Sequence, residues 1–295
     1  MRVSSIKKNI IIGTAQLGTN YGIANTEKNI NINEKIKFLN FSYNNKLTSF
    51  DTAYAYKDSH RIIGKWIREY KLNPVLSSKI PNLKLFAYKS IDIIFNEILK
   101  ELNVKKLKNL FLHNPKDWNN KEVKKFIINI LDKKLITQFG LSIYEKKDII
   151  KDPLIKIIQI PGNIFNQEIL LSEELNKFLS TGGKIQIRSI LIQGLLTINP
   201  SLIPSSMQET KEGVLFFQNV AKELNVNNVH LAILCINYLI PNAKIIIGID
   251  NTKQIKDLLN INASNIQDSD IQEILKVCRS YSGEHWDPRN WYNKY

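Results

Sequence analysis

The sequence predicts an α/β protein folded as a closed (β/α)8 or TIM barrel, and two observations carry this prediction. Short runs of strand-forming residues alternate with longer segments of helical pattern, which is typical of βα units and a parallel sheet. There are eight such runs, the number of strands that a closed barrel requires. The predicted strands cover residues 10–15, 49–53, 75–79, 109–113, 138–142, 157–161, 185–189 and 244–248.

The segments between the strands have the apolar period of amphipathic helices. After the second strand, one helical face carries Ile62, Ile63, Trp66, Ile67 and Tyr70. We therefore interpret Trp66 as a core residue rather than a platform for a ligand. The helix after the third strand has a buried stripe of Ile91, Ile94, Phe95, Ile98 and Leu102.

Length and charge limit the function classes. The chain has 295 residues and no long polar linker, and barrels of this class run at about 250 residues. We predict one domain over residues 1–295, with the tail 279–295 as a candidate pocket loop. The net charge of +14 invites a nucleic-acid interpretation. The basic residues are mostly lysines scattered on helices beside Ile and Asn, so we predict solvated surfaces and no nucleic-acid partner.

Cysteines, histidines and apolar runs bear on metals, redox compartment and membranes. Cys235 and Cys278 lie in apolar helical patterns and suggest neither a disulfide framework nor a metal site. No two of the four histidines have a helical ligand spacing, so we predict no metal. The apolar run near the N-terminus is too short for a signal region, and no stretch of about 18 apolar residues follows. We expect a cytoplasmic protein without a membrane partner.

Ionisable residues end three successive predicted strands. Asp51, Lys79 and His113 occupy these ends, and Tyr56 lies in the loop after Asp51. The carboxyl ends of barrel strands converge on one rim, so the four side chains should meet. A phenol has a pKa of about 10 and needs neighbouring charge to lower it before it can act as an acid at neutral pH. Lys79 would favour the phenolate, and Asp51 would hold the lysine in place.

Each of these four residues has an ordinary structural explanation when it is taken alone. The aspartate could cap a helix, the lysine could be solvated, and the histidine could be hydrogen bonded near the core. Four such residues in order at consecutive strand ends favour a catalytic site.

This ordered set resembles that of the aldo-keto reductase superfamily of nicotinamide-dependent carbonyl reductases. The resemblance implies that Asp51, Tyr56, Lys79 and His113 form the family's catalytic tetrad. It also implies that hydride passes to a carbonyl carbon while Tyr56 protonates the oxygen and His113 orients the carbonyl. Relatives that reduce carbon–carbon double bonds have Glu at the histidine position, so His113 favours carbonyl chemistry. The resemblance covers nearly the entire chain and rests on Gly13-Thr14-Ala15-Gln16-Leu17-Gly18, Asp51 to Tyr56, Lys79, Leu112-His113-Asn114-Pro115, Gly140-Leu141-Ser142, Gln159 and Ser189 to Leu196.

Family position also implies the cofactor contacts. Ser142 and Gln159 would hold the nicotinamide carboxamide. The pyrophosphate would meet Ser189, Leu191 and Gln193, and the adenosine would meet the segment from Gly248 to Gln254, with Asp250 and Lys253. Many relatives have an aromatic residue stacked on the nicotinamide where this chain has Arg188, and a guanidinium can stack there too.

The adenosine segment departs from the family pattern in a way that bears on the cofactor. Relatives specific for the phosphorylated cofactor usually have basic residues here, whereas this chain has Asp250 and, where Arg is common, Gln254. An aspartate repels a phosphate but can accept hydrogen bonds from ribose hydroxyls. Lys253 and Lys256 could still supply positive charge. Family habit favours NADP(H), with NAD(H) as the alternative.

Three irregular stretches are expected around the site, at residues 116–120, 197–204 and 281–292. In relatives the C-terminal loop closes the substrate pocket, so Trp118, Trp286 and Trp291 are candidates for its walls. Alternatively, the tail packs beneath or beside the barrel.

The sequence as a whole predicts an NAD(P)H-dependent enzyme that reduces an aldehyde or ketone. Segments 193–196 and 287–291 resemble bacterial relatives associated with surface-sugar metabolism, which suggests a keto-sugar or sugar-nucleotide substrate. A second hypothesis is a nicotinamide-binding sensor or regulatory subunit without significant turnover. The sequence leaves the oligomeric state open.

Overall fold

The protein forms a closed barrel of eight parallel strands in the computed structural model. The structure describes residues 6–19, 31–86, 89–249, 251–261, 265–281 and 283–291; Asp250 lies outside the described residues. Every predicted strand is present, with bounds shifted by no more than two residues. The strands are β1 (Ile10–Gly13), β2 (Ser49–Asp51), β3 (Val75–Ile80), β4 (Leu107–Leu112), β5 (Ile136–Ser142), β6 (Ile155–Pro161), β7 (Lys184–Arg188) and β8 (Lys244–Gly248).

Strand order follows sequence order, and β1 closes the barrel by pairing with β8. At the carboxyl end of β1, Gly13 is in register with Asp51 of β2 and with Gly248 of β8. Side chains alternate between the barrel interior and the outer helices. The structure confirms the (β/α)8 prediction and brings the strand ends onto one rim.

Helices surround the barrel and bury their apolar faces against its outside. The helix after β2 buries Ile62, Ile63, Trp66 and Ile67, as predicted. Tyr70 is 40% exposed, contrary to the prediction, because it lies in the last turn where the helix leaves the core. The α-helices are α1 (Ala15–Gly18), α2 (Ile32–Asn44), α3 (Ser59–Tyr70), α4 (Ile91–Leu102), α5 (Lys121–Asp132), α6 (Glu173–Ser180), α7 (Gln208–Glu223), α8 (Asn228–Leu239), α9 (Thr252–Leu259) and α10 (Asp268–Ser280).

Short 3-10 turns occupy several of the connections. The β5–β6 connection is the one that matters for the site, because residues 143–154 contain a 3-10 turn and no α-helix. The gap in the helical layer leaves this side of the barrel to loop residues and to the C-terminal tail. The 3-10 turns cover Leu83–Phe86, Pro115–Asn119, Lys146–Asp148, Ile192–Thr197, Pro200–Leu202, Ser205–Met207, Glu284–Trp286 and Pro288–Asn290.

Aromatic packing joins the barrel to the helical layer. The Trp66 ring is fully buried, and its centroid lies 5.1 Å from that of Phe50 in an edge-to-face arrangement. Such pairs contribute about 0.5–1.5 kcal/mol beyond the burial of their area. The interpretation of Trp66 as a core residue is confirmed. In the parts of the chain that the structure describes, no helix is long and apolar enough to cross a membrane.

Candidate active site

A buried ion pair lies at the centre of the rim. The Lys79 ammonium is 2.6 Å from Asp51 Oδ2 and donates a second hydrogen bond, of 2.9 Å, to the carbonyl oxygen of Thr52. The Lys79 and Asp51 side chains are only 1% and 4% exposed. From β6 on the far side of the barrel, Gln159 Nε2 donates to Asp51 Oδ1 at 2.9 Å. Both carboxylate oxygens therefore have a donor, which fixes the carboxylate and orients the lysine.

Tyr56 and His113 lie beside this pair. The Lys79 ammonium is 5.4 Å from the centroid of the Tyr56 ring. The centroids of the Tyr56 and His113 rings are 6.3 Å apart. The structure thus brings together all four side chains that the sequence singled out at the strand ends.

A close approach of two backbone segments positions Tyr56. A Cβ placed on Gly18, at the end of α1, would lie 1.8 Å from the Tyr56 carbonyl oxygen. Only glycine leaves room for this approach, because a side-chain carbon there would overlap backbone atoms. Gly18, which ends the Gly-Thr-Ala-Gln-Leu-Gly segment, therefore packs directly against the backbone of the loop that carries the Tyr56 phenol.

The electrostatics of the site differ from the expectation in one respect. Burial raises the pKa of the Tyr56 phenol well above its usual range, and the nearby Asp51 carboxylate raises it further. The Arg188 guanidinium acts in the opposite direction but more weakly. The net pKa of Tyr56 in the protein alone is therefore raised and not lowered, because desolvation dominates.

His113 is neutral over the physiological pH range. Burial lowers the pKa of its imidazole to about 3, and the positive charges of Lys79 and Arg188 contribute to the shift. A neutral imidazole has one N–H donor and one acceptor. His113 can therefore donate a hydrogen bond to a carbonyl oxygen without bringing a positive charge into the site.

A cleft of about 380 Å³ opens beside these residues. Asp51 and Tyr56 line one part of it, and Asp257 and Leu258 of α9 line another. Six of the predicted cofactor residues are in its lining: Arg188, Ser189, Leu191, Gln193, Gly248 and Gln254.

Three other predicted cofactor residues lie outside that lining. Lys253 is exposed on α9. Gln159 is hydrogen bonded to Asp51, and Ser142 is its register partner on β5. Both are fully buried.

Sequence reasoning assigned no cofactor role to several lining residues: Gln16, Asn227, Asn228, His230 and Asp257. Asn227 caps α8 through its side chain, which accepts a hydrogen bond from the Val229 amide. An Asn before an apolar helical run is a helix-start signal, so this cap was detectable in the sequence. Because Asn227 is far from the tetrad in the sequence, the cap signal did not indicate that this residue lines the cleft.

The backbone after β7 is strained where it borders the cleft. Ser189, Ile192, Gln193 and Gly194 have φ angles of 63°, 52°, 54° and 96°. A β-branched residue such as Ile192 rarely adopts the left-handed region, and each such residue costs on the order of 1–3 kcal/mol. Turns of this kind can point backbone N–H groups at an anion. The pyrophosphate contacts expected at Ser189, Leu191 and Gln193 stay a prediction.

Unpaired buried atoms provide a test of whether a nicotinamide fits. Among the described residues, Ser142 Oγ and Gln159 Oε1 are buried without a hydrogen-bond partner, as is Gln16 Oε1 in the cleft lining. Leaving such an atom unsatisfied costs about 1–3 kcal/mol. A primary carboxamide carries both donors and an acceptor, which matches a hydroxyl beside an amide oxygen. The residues present therefore fit the carboxamide of a nicotinamide.

Arg188 has a ring partner within the protein. Its guanidinium carbon is 4.3 Å from the centroid of the Tyr144 ring, and that of Arg289, from the C-terminal tail, is 4.1 Å from the same centroid. Arg188 Nη2 also donates to the Ile143 carbonyl oxygen at 3.4 Å. The guanidinium that was expected to stack on the nicotinamide therefore stacks on Tyr144.

The three candidate tryptophans occupy different environments. Trp118 is 1% exposed and lies on Phe139 with ring centroids 4.8 Å apart, while its indole N–H donates to Asp152 at 3.0 Å. Phe139 is three residues before the inward-facing Ser142, so it faces the outer layer. The expectation that Trp118 forms a pocket wall is therefore wrong: it packs outside the barrel.

The tail tryptophans are buried as well. Trp286 stacks on Phe165 with centroids 3.8 Å apart and lines a second cavity of about 760 Å³ with Tyr144 and Arg289. Trp291 donates from its indole N–H to the His285 carbonyl oxygen at 2.8 Å, which ties the tail to itself. Trp286 therefore lies at a cavity that Tyr144 and Arg289 also line.

Comparisons with known proteins agree with this geometry. The glycerol dehydrogenase AKR11B4 from Gluconobacter oxydans has a similar fold, with a TM-score of 0.70 and 14% identity over 92% of each chain. The thermostable aldo-keto reductase Tm1743, solved with the inhibitor epalrestat, gives a TM-score of 0.69 and 17% identity over 93% of this chain and 95% of that one. A search of curated proteins finds no match. The model of the aldo/keto reductase family matches residues 9–279. The chain therefore belongs to the aldo/keto reductase family and is an NAD(P)H-dependent oxidoreductase.

Proposed function

We propose that this enzyme reduces the carbonyl group of an aldehyde or ketone to an alcohol, with Tyr56 as the proton donor. The observation that carries the proposal is the cluster of Asp51, Lys79, Tyr56 and His113 at the cleft, with contacts of 2.6, 5.4 and 6.3 Å linking successive members. Bound reduced nicotinamide supplies a hydride to the carbonyl carbon. The carbonyl oxygen takes a proton from Tyr56 Oη, so the product is a neutral alcohol.

The remaining residues make this proton transfer feasible. Losing the proton leaves a phenolate, and the Lys79 ammonium stabilises that negative charge from beside the ring. Asp51 keeps the ammonium in place through the 2.6 Å contact. Neutral His113 donates a hydrogen bond to the carbonyl oxygen and aligns it with Tyr56.

For the cofactor we propose NAD(H), the alternative to the NADP(H) that family habit favours. Gln254 and Asp257 line the part of the cleft assigned to the adenosine, and Lys253 and Lys256 of the same helix are absent from the described lining. The Lys256 ammonium instead lies 5.9 Å from the ring of Phe41. A carboxylate near the ribose repels a 2'-phosphate and can accept a hydrogen bond from a 2'-hydroxyl.

A keto-sugar or sugar nucleotide is the substrate class to test first, because of the resemblance to relatives of surface-sugar metabolism. The nicotinamide-binding sensor is the competing function. Replacing the Tyr56 phenol distinguishes the reductase from the sensor.

The test compares Tyr56→Phe with Tyr54→Phe. Tyr54 is a nearby phenol that donates to Glu97 at 2.6 Å; it meets the tetrad through a backbone hydrogen bond to the Lys79 carbonyl oxygen, which a phenylalanine keeps. Loss of the general acid should lower kcat for carbonyl reduction by about 100-fold or more. Tyr56→Phe should still bind NADH in a tryptophan fluorescence titration, and Tyr54→Phe should keep its turnover. Equal turnover by Tyr56→Phe and the wild type would refute the proposal, and tighter binding of NADPH than NADH would refute the cofactor assignment.

A further inference from the structure

Arg188 is a cation at the substrate side of the cleft. It ends β7 and lines the cleft together with Asp51 and Tyr56. Of the described residues in that lining, it is the only arginine or lysine. Its charge lowers the pKa of both Tyr56 and His113, so the guanidinium lies within electrostatic range of the two groups that face the carbonyl.

The charge of Arg188 has no ion-pair partner in the described part of the chain. The two arginines on the Tyr144 ring differ in this respect. Arg289 forms a bidentate pair with Asp287, whereas no carboxylate lies within 4.0 Å of the Arg188 nitrogens. The Arg188 charge contributes to lowering the pKa of the Asp287 carboxyl, so the two side chains are near each other. The Asp287 carboxylate oxygens nevertheless accept their hydrogen bonds from Arg289.

The hydrogen-bonding capacity of Arg188 is also largely unused. A guanidinium has five N–H donors in a planar fork. The contact to the Ile143 carbonyl oxygen, at 3.4 Å, is long and uses one of them. Stacking on Tyr144 restricts the plane of the fork without using any donor. The remaining donors match the geometry of a carboxylate or phosphate, which arginine binds through two parallel hydrogen bonds.

We propose that Arg188 binds an anionic group of the substrate, so that the enzyme selects carbonyl compounds that carry a carboxylate or a phosphate. Tyr144 holds the guanidinium plane, and Arg289 with Asp287 supports Tyr144 from the tail. The inference rests on the proposed carbonyl reduction and deepens it, because it names the substrate class. It also gives Arg188 a role toward substrate in place of the expected role toward the nicotinamide.

The test uses matched pairs of small aldehydes. 4-Formylbenzoate is compared with 4-formylbenzamide, and glyceraldehyde 3-phosphate with glyceraldehyde, so that the two pairs distinguish a carboxylate from a phosphate. The measured quantity is the ratio of kcat/KM for the anionic member to that for the neutral member. Wild type should favour the anion in at least one pair, and Arg188→Met should lower that ratio about 10-fold or more.

Two further variants sharpen the test. Arg188→Lys keeps the charge but loses the planar fork, and should give an intermediate ratio. Arg68→Met removes a positive charge at the exposed end of α3 and should leave the ratio unchanged. Equal losses for both members of each pair in Arg188→Met would overturn the inference, as would a wild-type preference for both neutral members.

A binding measurement separates failure of the inference from failure of the proposed function. Benzoate and benzamide are titrated against the NADH-bound protein, with tryptophan fluorescence as the readout. If wild type binds benzoate more tightly than benzamide and Arg188→Met does not, the anion site stands even if none of the aldehydes is reduced. If neither variant distinguishes the two ligands while aldehydes are reduced, the anion site is refuted and the reductase stands.

Discussion

Replacement of Lys79 by methionine isolates the energetic role of the buried ion pair. Methionine is close to lysine in length, so the change removes the charge without opening a large cavity. The Asp51 carboxylate, only 4% exposed, would keep a single side-chain hydrogen bond, the 2.9 Å contact from Gln159. The Thr52 carbonyl oxygen would lose the donor that Lys79 provides.

The structure sets the expected magnitude. Removing one partner of a buried pair costs about 3–5 kcal/mol, because an uncompensated charge is left behind. The hydrogen bond from Gln159 offsets part of this cost, so we expect a loss of about 3 kcal/mol. That is a large fraction of the roughly 5–15 kcal/mol that stabilises a typical domain.

Urea unfolding followed by far-UV circular dichroism measures this loss. The double variant Lys79→Met with Asp51→Asn should recover most of it, because the second change removes the stranded charge. A loss below about 1 kcal/mol at pH 7, or a double variant less stable than Lys79→Met, would refute the argument that the lysine compensates a buried carboxylate.

Two further predictions follow from the site. In Gly18→Ala, the new Cβ would overlap the Tyr56 carbonyl oxygen at 1.8 Å and must displace the loop that carries Tyr56. A displacement of the phenol by about 1 Å should lower kcat for carbonyl reduction about 100-fold. A variant with the kcat of the wild type would contradict the close approach. The pKa of His113 is about 3 in the folded protein and near 6.5 in the unfolded chain, so protonation favours unfolding and this contribution to stability is lost as pH falls from about 6.5 towards 3. His113→Asn, which does not titrate, should therefore lose less stability than wild type between pH 7 and pH 4.5 in urea unfolding; an equal loss would show that His113 is not the group responsible.

The strands and the tetrad were accessible from the sequence because both depend on local order. Each strand is a short apolar run, and the ends of consecutive strands must share one rim. The geometry of the Asp51 to His113 cluster follows from that rule without knowledge of any side-chain contact.

The predictions that were wrong concern properties that depend on how deeply a side chain is buried. The sequence shows that Lys79 lies near Tyr56 but not how much of the phenol is removed from water, and desolvation reverses the direction of the pKa shift. Trp118 follows His113 closely enough to suggest a pocket wall, yet packing on Phe139 turns it to the outside. Asn227 and His230 reach the cleft from a helix far along the chain, and no local pattern reports that approach.

The absence of an α-helix between β5 and β6 bears on the order in which the parts of the site become available during synthesis of the chain. The tail reaches Tyr144 on the side where this connection leaves the outer layer open, and Arg289 follows all eight strands in the chain. A nascent chain that has emerged as far as β8 already contains every tetrad residue and Arg188, but not the residue that braces Tyr144 from the tail. During synthesis, the groups for proton transfer are therefore present before the support for Arg188 is complete.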